Sequence, residues 1–178
     1  MCWFRRCAYL SVFFLLSCTG QREDTELIKK AYFDLAGYFK AHGEALSQKQ
    51  AKIRKTIVKN GRSESKTLQI GDWEKELSLF VGSDINKPAW TPSYETTQEG
   101  DTLTYRALDP DLRTQLIRIS GSGNAVAMVY IKNQEENALY KSEEELFYYP
   151  DSLYRIDKRQ DVWVIGINEY RIEGRLKE

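Results

Sequence analysis

The spacing of hydrophobic residues changes once along this chain, from a helical period near the N-terminus to alternation in the second half. Over residues 25–46, apolar side chains recur every three or four positions, with Ile28, Leu35 and Phe39 as examples. This spacing predicts a long amphipathic helix of roughly 20 residues. His42 falls on the same stripe, and a lone histidine at the edge of a core is expected to be packed and hydrogen-bonded.

Two shorter signals follow the first helix. Asn60-Gly61 separates two polar, partly alternating segments within residues 52–70, which predicts a two-residue hairpin because both residues accept positive φ. The alternative extends the first helix to Lys59 and uses Asn60-Gly61 as its C-terminal cap. Asp72 is expected to cap a second, short helix that ends at Gly82. Residues 83–94, which contain two prolines, predict an ordered connection without regular structure.

From Thr102 onward, short alternating segments are separated by turn residues such as Asp109-Pro110-Asp111 and Gly121-Ser122-Gly123-Asn124. Strands joined by two to five turn residues predict an antiparallel meander. Residues 125–133 and 162–167 are apolar at consecutive positions, which predicts central strands. We therefore expect an α+β fold, in which a curved antiparallel sheet of about six to eight strands is covered by the long helix, with a second short helix beside it.

The first residues have the features of a secretion signal. Arg5 and Arg6 precede an apolar run at residues 8–16, which is too short to span a bilayer as a helix. Residues 15–18, LLSC, resemble a bacterial lipobox, which implies cleavage before Cys18 and lipid on its sulfur. The expected organisation is a signal peptide at 1–17, a tether at 18–24 and one domain at 25–178. The lipid on Cys18 would be the membrane anchor.

Composition excludes several classes of function. Lys plus Arg and Asp plus Glu both number 26, and loss of Arg5 and Arg6 leaves 24 against 26. This balance gives no basic excess for nucleic acid. Of the three cysteines, Cys2 and Cys7 would leave with the leader. We therefore expect no disulfide, no cysteine–histidine metal site and no cofactor.

Candidate chemistry is sparse. The sequence contains no nucleophile elbow, phosphate loop or HExxH motif, so no catalytic residue is assigned. Carboxylates near tryptophan, namely Asp72, Glu76 and Asp84, are the only acid–base option, and Asp72 and Asp84 are better explained as a cap and a turn residue. Glu143-Glu144-Glu145 is expected to be solvated.

The many aromatic residues of the strand region have two explanations. They could line a face that binds an apolar or sugar ligand, or they could pack across strands, which sheets use routinely and which we favour. If a ligand site exists, its candidate residues are Trp73, Asp84, Trp90 and Tyr140.

Three segments carry a family resemblance. Residues 72–94 (DWEKELSLFVGSDINKPAWTPSY), 137–140 (NALY) and 170–174 (YRIEG) resemble a group of small, uncharacterised lipoproteins of Bacteroidota. The resemblance supplies no catalytic residues. Thr19 after Cys18 is not the aspartate that retains enteric lipoproteins in the inner membrane, which by analogy implies the outer membrane.

These observations favour a non-enzymatic cell-envelope lipoprotein that binds a protein partner or an envelope component. The alternative is a carrier that holds a lipid or another apolar ligand between sheet and helix. A carboxylate-based hydrolase is a more distant alternative.

Overall fold

The computed structural model describes residues 31–90, 92–123 and 125–177. A single antiparallel sheet of nine strands has the order β2-β1-β9-β8-β7-β6-β5-β4-β3. The strands are β1 (Lys52–Lys59), β2 (Arg62–Gln69), β3 (Tyr94–Glu99), β4 (Thr102–Ala107), β5 (Thr114–Ser122), β6 (Ala125–Glu136), β7 (Tyr140–Tyr149), β8 (Leu153–Val162) and β9 (Gly166–Leu176). The helices are α1 (Leu35–Gln48), α2 (Trp73–Glu76) and α3 (Ser78–Val81), followed by a 3₁₀ turn at Pro88–Trp90. The sheet-rich α+β class is therefore confirmed.

The first helix is shorter than predicted and begins later. It has 14 residues and starts at Leu35, because the Asp34 side chain accepts a hydrogen bond from the Gly37 N–H at 2.8 Å. Immediately before it, the Phe33 N–H donates to the Tyr105 hydroxyl at 2.9 Å. This tertiary hydrogen bond engages the Phe33 N–H, which in the predicted helix would have bonded to a backbone carbonyl one turn earlier. The predicted start at residues 25–30 lies outside the described residues.

The first hairpin is confirmed. Asn60 and Gly61 adopt φ of 47° and 80° between β1 and β2, as a tight two-residue turn requires. The alternative, a helix that continues to Lys59, is wrong. β1 also pairs with β9, so the first hairpin lies beside the last strand in the sheet.

The short helical region is confirmed, but a strand after it was missed. Asp72 accepts from the Lys75 N–H at 2.9 Å, and Gly82 ends the region. Residues 94–99 form β3, which pairs with β4 at the sheet edge. After Tyr94 every residue of β3 is exposed, so this strand shows no alternation of apolar and polar residues by which to recognise it.

The meander is confirmed with corrections to its count and its centre. Within the described residues the sheet has nine strands, not six to eight. Residues 162–167 were predicted as a central strand, and this is wrong. Trp163, Val164 and Ile165 form the exposed turn between β8 and β9. Apolar residues marked this segment as buried, although its hairpin position leaves it in solvent.

Helices and sheet enclose a packed core on one face. Phe39 of α1 lies 4.7 Å from Phe80 of α3 and 4.9 Å from Tyr148 of β7, measured between ring centroids. His42 Nδ1 lies 3.1 Å from the Tyr148 hydroxyl, so the expected packed and hydrogen-bonded histidine is confirmed. The opposite face of the sheet carries none of the helices that the structure describes, and we call it the open face.

Candidate functional site: a basic and aromatic cradle

Strand alternation divides β6 between two environments. Val129 and Ile131 are fully buried under the helices. Met128, Tyr130 and Lys132 therefore project from the open face, because successive side chains of a strand point to opposite sides.

Register then aligns side chains from four strands on the open face. Arg118 of β5 lies opposite Tyr130, and Tyr130 lies opposite Phe147 of β7. Two residues before Arg118 on β5, Leu116 lies between Arg106 of β4 and Lys132 of β6. The result is a depression of about 710 Å³, which we call the cradle. Its principal residues are Arg106, Arg118, Tyr130, Lys132, Phe147 and Tyr149.

The centre of the cradle is aromatic. The rings of Tyr130 and Phe147 lie 5.0 Å apart at an angle of 45°, and the Arg155 guanidinium lies 4.1 Å from the Phe147 centroid. The Tyr130 hydroxyl donates to Glu145 Oε1 at 2.8 Å. Burial, assisted by the Glu145 carboxylate, raises the pKa of Tyr130 to about 12. The Tyr130 hydroxyl therefore stays neutral near pH 7.

Three of the four cations in and beside the cradle have no acidic partner within ion-pair distance in the described part of the chain, whereas Arg155 pairs with Asp157 at 3.0 Å. Among the residues that the structure describes, Arg106, Arg118 and Lys132 form no ion pair. Glu95 and Glu145 are the register partners of Arg106 and Lys132, yet neither carboxylate approaches within 4 Å of its partner's charged group. Three positive charges around an aromatic centre make a site suited to an anion.

A second depression of about 480 Å³ lies beside the cradle on the open face, over β1, β9, β8 and β7. We call it the groove. Its arginines are paired: Arg171 Nε lies 2.5 Å from Asp157, and Arg159 lies 3.5 Å from Glu169. The Asp157 carboxylate raises the pKa of Arg171. Lys132 lines both depressions. The two arginines of the groove are therefore neutralised by acidic partners, whereas Arg106 and Arg118 of the cradle form no ion pair among the described residues.

The four residues proposed from sequence as ligand-binding are not brought into one site. Trp73 is 1% exposed and packs in the core with its ring 6.4 Å from that of Tyr154. Tyr140 pairs with Val162, eight residues from Tyr154 along β8, which corresponds to about 27 Å. The Tyr140 hydroxyl donates to Glu135 at 2.5 Å.

The other two candidates lie in the connection that precedes β3. Asp84 accepts from the Asn86 side-chain amide at 3.0 Å. The Lys87 ammonium lies 3.9 Å from the ring centroid of half-buried Trp90. Both residues therefore have local partners within their own segment.

The carboxylates considered for acid–base chemistry also have structural partners. Asp72 caps α2 as expected, and Asp84 bonds within its own loop. Glu76 accepts from Lys55 Nζ at 2.5 Å and from the Tyr154 hydroxyl. Glu76 therefore anchors α2 to β1 and β8, whereas the hydrogen bonds of Asp72 and Asp84 stay within the helix cap and the loop.

Glu144 contradicts the expectation that residues 143–145 are all solvated. Its carboxylate is buried on the packed face, 2.7 Å from Arg113 Nη2 and 3.0 Å from Lys158 Nζ. Burial acts to raise the pKa of Glu144, but Lys158 and Arg113 outweigh it and hold the pKa below its ordinary value. The alternation of β7 explains the difference, since it turns Glu144 inward and Glu143 and Glu145 outward.

Sequence reasoning missed the cradle, although part of its signal was present. The alternation of Met128, Tyr130 and Lys132 could be read along β6. The neighbours from β4, β5 and β7 depend on strand order and register, which no local pattern gives.

The described residues and the known proteins compared with the chain add few further constraints on function. Within residues 31–90, 92–123 and 125–177, no group of three or more His, Cys, Asp or Glu side chains is arranged to hold a metal ion. No helix in this part of the chain has the length and apolar character needed to cross a membrane. Comparison with family models, with curated protein sequences and with solved structures finds no match to the chain. Cys18, the signal peptide and the tether lie outside the described residues.

Proposed function

We propose that this protein is a non-enzymatic, lipid-anchored envelope protein whose cradle binds an anionic saccharide of the cell envelope. The observation that carries the proposal is the set of three cations, Arg106, Arg118 and Lys132, without an ion pair in the described part of the chain. The anchor is the lipid on Cys18, supported by the lipobox-like residues 15–18 and the apolar leader before them.

The chemistry of the cradle favours a sugar that carries carboxylate or phosphate groups. Arginine and lysine donate charge-assisted hydrogen bonds to such groups. Aromatic rings such as Tyr149, which is 40% exposed, offer flat apolar surface to the faces of sugar rings. The volume of about 710 Å³ falls within the range of small-molecule sites.

The packed core supports a surface-binding module over a carrier. Phe39, Trp73 and Phe80 are fully buried between helices and sheet and occupy the space that an apolar cargo would need. The carboxylates with structural partners likewise support binding over hydrolysis. The outer-membrane destination remains part of the proposal and follows from Thr19.

The binding proposal is tested by titrating the purified full chain in detergent with tetragalacturonic acid, using neutral maltotetraose for comparison. We expect the anionic tetrasaccharide to bind and the neutral one not to bind. The double variant Arg118→Gln, Lys132→Gln should bind at least about a hundredfold more weakly, since each of the two lost charge-assisted hydrogen bonds is worth roughly 1.5–3 kcal/mol. Arg159→Gln is the matched control, because it removes an exposed arginine that is already paired. Equal binding by both variants would refute the proposed site.

The anchor is tested separately with Cys18→Ala. We expect the variant to take up no labelled fatty acid and to leave the membrane fraction, because stable attachment needs more than one acyl chain or a second membrane contact. A wild-type chain that takes up no fatty acid, together with a variant that still fractionates with membranes, would refute the anchor. This result would leave the cradle proposal intact.

A further inference from the structure

The turn between β8 and β9 exposes a cluster of large apolar side chains. Trp163, Val164 and Ile165 are 84%, 85% and 75% exposed, and Ile167 is 50% exposed. Leu139, from the neighbouring turn between β6 and β7, is 68% exposed, and its carbonyl accepts from the Trp163 N–H at 3.2 Å. We call these five residues the apolar tip. Contiguous exposed apolar surface of this kind marks an interaction site in folded proteins.

Hydrogen bonds give both turns a defined shape. The Ile165 N–H donates to the Val162 carbonyl at 3.0 Å, and Gly166 has φ of 82°. In the adjacent turn, the Asn137 side-chain oxygen accepts from the N–H groups of Leu139 and Tyr140 at 2.9 and 3.1 Å. The fold therefore presents the apolar tip outward in an ordered conformation.

Polarity changes in steps along the strands behind the apolar tip. The strand residues next to the tip, which we call the first level, include Tyr140, opposite Val162, and the pair Gln160 and Asn168. The Asn60 side-chain amide donates to Asn168 Oδ1 at 3.1 Å. Trp163 and Tyr140 therefore lie next to polar and charged side chains, including Lys141 and Asp161. Aromatic residues at such a boundary between apolar and polar surface are typical of a membrane–water interface.

The charges at this level balance each other. Lys141 and Asp161 are register partners on β7 and β8, and Lys141 also lies 3.5 Å from Glu136. Lys59 and Arg62 flank the Asn60-Gly61 turn of the adjacent hairpin, but among the described residues this is fewer than the roughly four to eight lysines and arginines that select anionic headgroups. The surroundings therefore match zwitterionic lipid.

We propose that the apolar tip inserts into the interface of a zwitterionic phospholipid bilayer, as a second membrane contact beside the lipid on Cys18. The expectation that both contacts lie on one membrane rests on the proposed lipid anchor at Cys18. Residues 19–30 can extend to about 40 Å, which is comparable with the roughly 34 Å length of the ten-residue strand β8 behind the tip. Both contacts can therefore reach one membrane. A convex hairpin tip needs no complementary pocket in a bilayer, whereas a protein partner would have to supply one.

The test uses the full chain reconstituted into phosphatidylcholine vesicles with bromine on the acyl chains, which quenches nearby tryptophan fluorescence. We expect quenching of the wild type, and Trp163→Phe should lose most of the quenched component. Trp90→Phe is the matched control and should keep it, because Trp90 is half-buried beneath Lys87. Val164→Ser with Ile165→Ser should lower the quenching at least about twofold, since Trp163 remains but insertion weakens.

Three outcomes overturn the insertion proposal. One is equal quenching of the wild type and Trp163→Phe. Another is quenching of Trp163 that is unaffected by the two serine substitutions. Protection of Trp163 from an aqueous quencher only when a protein partner is added would likewise exclude the bilayer as the occupant.

The mass of the reconstituted chain separates this result from the anchor. Quenching without an acyl group would remove the proposed anchor and retain the tip. An acylated chain without quenching would remove the tip and retain the anchor.

Discussion

The cradle and the groove occupy the same face of one sheet, yet they differ in whether their principal arginines are paired with acids. In the groove, register places Asp157 opposite Arg171 and Arg159 opposite Glu169, and each pair is within ion-pair distance. In the cradle, register places Arg118 between Thr104 and Tyr130, neither of which carries negative charge. Strand register therefore leaves Arg118 without an acidic neighbour. Arg106 and Lys132 do face Glu95 and Glu145 across the sheet, but their side chains hold the charged groups beyond ion-pair distance.

Removal of the groove's central acid should make the groove resemble the cradle. Asp157 pairs with Arg155 at 3.0 Å and with Arg171 at 2.5 Å. We expect Asp157→Asn to lower the free energy of unfolding by about 1 kcal/mol in urea titrations, because both partially exposed pairs are lost. We also expect tetragalacturonic acid to gain a second site on the open face.

The control for this variant is Asp161→Asn, which removes a carboxylate of the same strand that has no ion pair among the described residues. It should change neither stability nor the number of binding sites. If Asp157→Asn behaved like this control, charge pairing would not explain the difference between groove and cradle.

Single arginine substitutions in the two regions should change stability in opposite directions. Arg171→Gln should destabilise the protein by about 0.5 kcal/mol, since it loses the bond to Asp157. Arg118→Gln should stabilise the ligand-free protein by roughly 0.3 kcal/mol at low salt, since it relieves repulsion among the cradle cations. Thermal unfolding at 20 mM and 500 mM NaCl measures both effects, and the difference between the variants should shrink at high salt. The same sign for both variants would contradict the comparison.

The last expected effect concerns affinity rather than stability and involves Tyr130, which engages the acid nearest the cradle. Tyr130→Phe removes the 2.8 Å hydrogen bond to Glu145 and leaves that carboxylate free to attract Lys132, its register partner. We expect affinity for tetragalacturonic acid to fall about two- to threefold, as for loss of one modest interaction. Tyr140→Phe, which breaks a similar bond to Glu135 far from the cradle, should leave affinity unchanged. An equal loss in both variants would show that the cradle is not involved.

Features with local causes were predicted correctly. The turn at Asn60-Gly61 requires two residues that accept positive φ, and the short helical region requires a capping side chain at Asp72. Most turns of the meander were recognised for the same reason. These signals act over a few residues, so the rest of the chain need not be known.

Features that depend on distant partners were predicted less well. The apolar period before Leu35 predicted helix, but Phe33 bonds to Tyr105, 72 residues away. The exposed residues of β3 contain no alternation, because pairing with β4 forms the strand. Trp163 and its neighbours were assigned to the core, since hydrophobicity in sequence does not distinguish a buried strand from an exposed tip.

The sequence by itself determined the sheet-rich class, the antiparallel meander, the first hairpin and the expectation of a lipid anchor at Cys18. Each follows from local periodicity, turn chemistry or a short motif. Only the tertiary structure decided which aromatic residues pack and which face solvent. Tyr148 and Tyr154 turn towards the helices, whereas Tyr130 and Tyr149 turn towards the cradle. The physical reason is register: a shift of one residue exchanges the two faces of a strand, and the cradle exists because four strands align their outward positions.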